Sequence, residues 1–442
     1  MTGAVLAGPM RAFPARRGLL LLRLAAAAAA AAAIKSFVID PLTGRFAGSF
    51  EDFSAYIGAA RSMAAGASPY AHFDASTVVM SGFTYPPFAA MLVRPLALLG
   101  DRQALSVWLA LCLAATVAAT VLVARISLPE SWPRVELAVL AALAFAPATY
   151  NYWHGQMNPC ILLLLALAFY AYVRDRELLA GVAIGLGAGI KIAPLVLLLL
   201  LLRRRWWRGA FAGAGVAVAT VVLGLLVIGT GPTRFFLSSV LPTLNRPTGW
   251  VYNLSLTGAI SRAANHAVLH VQSDSSALIQ GASLAAAAVL LLAMCTVVRA
   301  RCVAAEMRGI EFGLGVTVSL LAGSISWFPH YTHLLIPLFA GLGLVARHGL
   351  HRERAVALAG GAALAVFGVL APLVISTLTI QGIADAGRTA AWWPLLQLAS
   401  IPTAVALGFA VVLMRRLRQR PLVGSSGSMP VAATAVHRSR AS

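Results

Sequence analysis

Charge is what this sequence has least of. Lys, Arg, Asp and Glu make up 11% of its 442 residues, against roughly 25% in ordinary soluble domains. A soluble chain of this length would form about three domains, and too few polar residues are present to cover them. A multi-domain cytosolic enzyme is excluded. Acids are the scarcer sign: 14 Asp and Glu face 34 Lys and Arg, for a formal net charge of +20. In a soluble protein that excess would suggest nucleic acid. Here the arginines gather at the ends of apolar blocks, as in Arg203, Arg204, Arg205 and Arg208, or Arg415, Arg416, Arg418 and Arg420. Such clusters mark cytoplasmic loops, so no nucleic-acid partner is expected. The four cysteines (Cys112, Cys160, Cys295, Cys302) lack metal-ligand spacing and read as small core residues.

What the sequence does have is hydrophobic length. Sixty per cent of residues are apolar, in blocks of about 15–25, the length of a bilayer-spanning helix. The expected fold is an all-α polytopic membrane bundle. With each arginine cluster placed inside, the blocks give about 12 transmembrane helices and cytoplasmic termini. The stretch from Leu24 to Ile39 alone would fit a signal peptide; the later spans favour a retained first helix, with Lys35 reaching the far interface.

Residues 40–102 hold five of the 14 acids and form a large first extracytoplasmic loop. Two interfacial helices are predicted within it. In residues 53–64, Phe53, Tyr56, Ile57, Ala60 and Ala64 share one face, and Gly66 can end the helix. Residues 86–100 contain Arg94 and Pro95 and lie on the membrane surface. Between the Arg174–Glu177 loop and the Arg203 cluster both ends should be cytoplasmic. The short distance predicts two half-length helices bent at the outer side, with Gly185, Gly187, Gly189, Lys191 and Pro194 around the bend. A second outer loop spans 230–275. Residues 1–420 would form one domain and 421–442 a disordered cytoplasmic tail.

This threading brings unusual polar residues to the outer side: Asp52; His154, Gln156 and Asn158 in NYWHGQMNP; Lys191; Asn253, Ser255 and Arg262; and His330 and His333 in WFPHYTH. Each has a plainer reading. Asp52 is well placed to cap the helix that follows, and Gln156 with Asn158 to cap two helices across a turn. The histidines suit an aromatic belt beside Trp327; their spacing permits a metal, but no third ligand stands nearby. Lys191 is harder to dismiss, because a basic residue among apolar helices is costly and functional by default.

The residues resemble a known family. An acid after the first helix, then Tyr56, GASPY at 66–70 and YPPF at 85–88, is similar to the start of glycosyltransferase family 87. HGQMN at 154–158, GLGAGIKIAP at 185–194, NLSL at 253–256 and SWFPHYTH at 326–333 follow in order. The resemblance implies a GT-C-like transferase moving a sugar, with mannose expected, from a polyprenyl-phosphate donor to a glycolipid or glycan acceptor on the extracytoplasmic face of a bacterial-type plasma membrane. It implies Asp52 as general base, and Lys191, Arg262 and His330 as the cations facing the departing phosphate. His333, Gln156, Asn158, His154, Tyr85 and Asn253 complete the expected binding set. No cofactor is expected. The absence of a visible nucleotide-binding domain suits a lipid-linked donor. Inversion at the anomeric carbon is expected from the resemblance.

A transporter or flippase is the competing class, since a broken hairpin with a charged tip can hold substrate at mid-membrane. Against it, no paired broken segment is evident, and helix centres lack the acids that would drive coupling; Glu136 and Glu311 sit near inner ends.

Overall fold

A computed structural model describes residues 16–44, 50–74, 82–129, 132–264, 276–298, 304–384 and 398–419. Among them every regular element is helical, and one isolated antiparallel bridge joins Asn253 to Trp327. The main α-helices are α1 (Arg16–Ile34), α2 (Glu51–Ala64), α3 (Pro87–Val93), α4 (Asp101–Ser127), α5 (Trp132–Ala144), α6 (Ala146–His154), α7 (Asn158–Val173), α8 (Glu177–Ile190), α9 (Leu198–Arg203), α10 (Trp207–Ile228), α11 (Leu256–Ala264), α12 (Ala277–Val297), α13 (Ala305–Ala322), α14 (Leu335–His348), α15 (Arg354–Ala365), α16 (Ala371–Ala384) and α17 (Ile401–Arg418). The predicted disordered tail, 421–442, lies outside the described residues, as do 265–275 of the second outer loop.

Six helical segments among the described residues are long and apolar enough to cross a membrane, including Asp101–Ser127, Trp207–Ile228 and Phe328–His348. The other predicted crossings coincide with shorter helices or pairs of pieces, such as α5 with α6 and α8 with α9. Burial divides the bundle into layers. α13 and the Phe328–His348 segment are almost wholly buried. α10 and α12 form the periphery and leave large apolar side chains exposed, Phe211, Leu226, Leu278 and Leu284 among them. An apolar surface of that extent, on helices long enough to span a bilayer, suits contact with lipid. The protein is an integral membrane protein.

The first loop carries the two predicted helices. Phe53, Tyr56, Ile57 and Ala60 are buried on α2, whereas Ala64 at its C-terminal end is exposed. Gly66, at φ +76°, lies just past the helix C-terminus. α3 continues into a 3₁₀ turn, Arg94–Leu98, where Pro95 removes a helical N–H.

The break in the hairpin falls at Lys191, which is extended at φ −149° and ψ 124°. Pro194 explains it, because its ring would collide with the carbonyl of Ile190 if the helix ran on. Most of the preceding glycines do other work. A Cβ on Gly181 would sit 1.9 Å from the carbonyl oxygen of Gly209, and on Gly185 2.4 Å from that of Gly213. A Cβ on Gly189 would instead meet the Thr220 side chain at 2.6 Å. The glycine stripe lets α8 and α10 pack backbone to backbone, as small residues do between membrane helices.

The helix ends that carry the arginine clusters are tied by ion pairs. Arg204, buried, bonds the buried Glu311 and the Tyr172 hydroxyl. Arg308 pairs with Asp175 and Arg416 with Glu353, both at 2.8 Å. So part of the cationic charge read as cytoplasmic loop surface is folded into helix contacts.

Candidate active site

The site begins with a strained residue. Phe50 adopts the left-handed region (φ 38°, ψ 28°) and its N–H donates to the Trp153 carbonyl at 3.1 Å. For a non-glycine residue this costs on the order of 1–2 kcal/mol. It turns the chain sharply into α2 and sets Asp52 in the first turn, beside the end of α6. No side-chain cap bond is made at this helix start. The capping reading of Asp52 gives way to a bond across the molecule.

The partner comes from the turn between α6 and α7. Gly155 is left-handed (φ 67°), and a Cβ there would lie 2.6 Å from Cβ of Phe53. The N–H groups of Gly155 and Gln156 return to the Tyr152 and Asn151 carbonyls, a glycine-ended helix stop. Trp108 of α4 donates to the Gly155 carbonyl at 2.7 Å. Glycine is needed here for both its backbone sign and its missing side chain.

Gln156 Nε2 then donates to Asp52 Oδ2 at 2.8 Å. Asn158 Nδ2 donates to Gln156 Oε1 and, at 2.8 Å, to Asn151 Oδ1. Lys191 Nζ donates to Asn158 Oδ1 at 3.1 Å and lies 2.6 Å from His330 Nε2. The Trp327 N–H donates to His330 Nδ1 at 3.1 Å. One continuous hydrogen-bonded run therefore joins Asp52, Gln156, Asn158, Lys191 and His330, drawn from four distant parts of the chain. Asn158 and His330 are buried, and Asp52 and Lys191 partly so.

Aromatic residues close one side. Lys191 Nζ sits 5.7 Å from the centroid of the Tyr85 ring, within cation–π range. The Tyr85 hydroxyl accepts from Tyr56 at 2.9 Å, and the Tyr85 carbonyl accepts from Tyr70 at 2.8 Å. Tyr56 in turn packs edge-on against Phe83 and Trp108. Burial raises the Asp52 carboxyl to about 6; the Gln156 hydrogen bond opposes this, as does Lys191 whenever its amine is protonated, and Glu51 reinforces it. Burial likewise holds His154 down at about 4.

Of the remaining sequence-predicted residues, His333 stands at the edge of the run, its Nε2 3.4 Å from the Asn158 carbonyl. His154 ends α6, its ring 6.1 Å from Tyr150. Arg262 and Asn253 stand outside the run, although Asn253 bridges Trp327, which donates to His330. The wholly buried Arg262 guanidinium donates to the carbonyls of Trp250, Asn253 and Ala399 and to Ser400 Oγ. Asn253 donates to the Thr248 and Ser324 carbonyls and accepts from the Ser255 and Ser326 N–H groups. Together they staple the 248–262 segment to the segments before α14 and α17. Sequence reasoning missed Asn151, which is fully buried and donates to the Pro147 and Pro329 carbonyls. It lies two turns before Asn158, on NYWHGQMN itself. A neutral amide amid apolar residues was the available signal.

Residues 83–324, just over half of the chain, match the model of Glycosyltransferase family 87. That match includes Tyr85, Gln156, Asn158 and Lys191; Asp52 and His330 lie outside it. Over 223 residues the chain is 31% identical to the polyprenol-phosphate-mannose-dependent alpha-(1-2)-phosphatidylinositol pentamannoside mannosyltransferase of Mycolicibacterium smegmatis, covering 49% of this chain and 53% of that protein. A protein of the same name from Mycobacterium tuberculosis is 29% identical over 229 residues, covering 49% and 51%. The chain thus spans about half the length of these curated relatives. The crystal structure of ArnT from Cupriavidus metallidurans bound to undecaprenyl phosphate is similar at 16% identity and a TM-score of 0.39, covering 91% of this chain and 78% of that one.

Proposed function

The chain belongs to glycosyltransferase family 87, and on that premise we propose that it transfers a mannosyl group from a polyprenyl-phosphate donor to a glycolipid or glycan acceptor at the extracytoplasmic face of a plasma membrane. The observation that carries the reading is the run from Asp52 to His330, which sets a carboxylate at one end and an amine with an imidazole at the other. The donor's prenyl chain stays in the bilayer while its phosphate enters beside Lys191 and His330. Asp52 accepts the proton of the acceptor hydroxyl. The freed oxygen bonds to the anomeric carbon, the bond from that carbon to the phosphate oxygen breaks, and its electron pair leaves with polyprenyl phosphate. Lys191 and His330 stabilise that charge. A single displacement of this kind inverts the anomeric configuration. Mannose is taken from the donor for which both relatives are named.

The same reading makes residues 1–420 one catalytic membrane domain, with both termini and the 421–442 tail cytoplasmic. Its test is a transfer assay in proteoliposomes with radiolabelled polyprenyl-phosphate mannose and a mixed glycolipid acceptor pool. Label should pass into a glycosylated product, and a nucleotide-linked mannose should not replace the lipid donor. Uptake of solute without any covalent product would favour transport instead.

A further inference from the structure

His330 makes two contacts whose hydrogens can be counted. The Trp327 N–H points at Nδ1, so that nitrogen accepts. A neutral imidazole then carries its hydrogen on Nε2. Nε2 lies 2.6 Å from Lys191 Nζ, and a contact that short holds one hydrogen, not two. An ammonium at Lys191 would set N–H against N–H. The arrangement closes when His330 Nε2–H donates to the lone pair of a neutral Lys191 amine. That amine still has two hydrogens, one of which serves Asn158 Oδ1 at 3.1 Å.

From this geometry we infer that His330 holds Lys191 as a neutral amine in the empty site, and that binding of the anionic lipid-phosphate donor takes up one proton from solution at Lys191 Nζ. The inference rests on the donor reading above. No covalent bond changes in this step: the amine lone pair gains a proton, and the ammonium and His330 Nε2–H turn together onto a phosphate oxygen. Two donors that cannot face one another can both face an anion. The charged groups and titratable groups facing Lys191 among the described residues are Asp52 of α2, Tyr85 ahead of α3, and His330 and His333 of the turn before α14. The new ammonium favours ionised Asp52, so donor arrival also readies the base.

The residue type supports the assignment. Of 34 basic residues only Lys35 and Lys191 are lysines. Arginine does not shed its proton in proteins, whereas lysine does so readily when buried. Lys35 is exposed and paired with Asp40 at 2.5 Å, so its resonance serves as an internal reference.

With two lysines, nitrogen-15 lysine labelling of the full chain in lipid bilayers reads the answer directly. At neutral pH without ligand, one Nζ resonance should be ammonium and one amine, the latter missing in Lys191→Arg. Two ammonium resonances would overturn the inference whatever the protein's activity. Calorimetric binding of polyprenyl-phosphate mannose at pH 8, in buffers of different ionisation enthalpy, should show uptake of about one proton, and none for Lys191→Arg. The donor is a phosphodiester whose own charge is constant there, so the proton belongs to the protein. Binding without uptake sinks the inference and leaves the donor reading standing. Absence of binding sinks the donor reading, and the ligand-free resonances still decide this one. His330→Ala should convert the amine resonance to ammonium and abolish uptake. His330→Gln, whose amide can accept from Trp327 and donate to Lys191, should restore part of it. An amine resonance persisting in His330→Ala would remove the positioning role.

Discussion

At the scale of single residues, Asp52 is the side chain whose environment works against its charge. A carboxyl raised to about 6 by burial is protonated in mildly acidic solution and cannot act as a base. The transfer rate in native protein should therefore fall as pH drops through about 6, measured with donor saturating. Asp52→Asn should lose about 10²–10⁴-fold in kcat. The same shift has a stability sign. The folded pKa lies above the ordinary 3.8, so the folded state binds the proton more tightly than the unfolded one. Ionisation between about 4 and 6 then removes stability. Asp52→Asn avoids that loss and should melt at a higher temperature than native protein at neutral pH, while being inactive. Arg262 should behave the opposite way. Its guanidinium serves backbone carbonyls, so Arg262→Met strands buried acceptors at about 1–3 kcal/mol each. Thermal melting should fall clearly, with the donor KM of the remaining folded enzyme little changed. Asp52 and Lys191 were legible in the sequence because a charge in an apolar protein has few innocent roles. The backbone contacts of Arg262 were not legible, since a buried cation can be satisfied by carbonyls that no motif reveals.

At the scale of elements, the turn after α6 decides whether Gln156 reaches Asp52. Gly155→Ala would bring both a left-handed penalty of about 1–2 kcal/mol and a 2.6 Å clash with Phe53. It should lower the melting temperature and activity together; Gly215→Ala, on an open face of α10, is the control that should do neither. Among the described residues, π turns occur at Lys35–Ile39, Phe236–Val240 and Val366–Leu370. Each sets an aromatic ring against one near the site: Phe37 on Trp153, Phe236 on Tyr70, and Phe367 on Tyr331. Such bulges cluster at functional sites. At the Arg204 end of the bundle, Glu311→Gln leaves Arg204 buried without its counter-charge and should cost about 3–5 kcal/mol. The double change Arg204→Met with Glu311→Gln should recover much of it in a melting experiment. Helix positions were readable from hydrophobic blocks; the π turns were not, because one inserted residue does not disturb an all-apolar pattern.

At the scale of the whole molecule, the proposal requires the α2 loop and the turn before α14 to open on one side, with Arg205 on the other. In a cysteine-free background, Ala67→Cys should react with an impermeant maleimide added to intact cells. Arg205→Cys, also at an exposed position, should react only after permeabilisation. The reverse pattern would turn the site toward the cytoplasm. The layered burial agrees with a lipid setting: the periphery is apolar and exposed, and the polar run lies inside, between α2, α7, α8 and the turn before α14.

The sequence by itself determined that the chain is a helical membrane protein, where most helices lie, and which polar residues were too costly to be idle. These follow from composition and spacing, since a bilayer penalises each uncompensated polar group locally. Only the tertiary structure decided which of those groups meet. It joined Asp52 to Lys191 through two amides, set His330 against the amine, and withdrew Arg262 and Asn253 into backbone contacts. Hydrogen bonding acts at about 3 Å across segments far apart in the chain, and no local pattern carries that information.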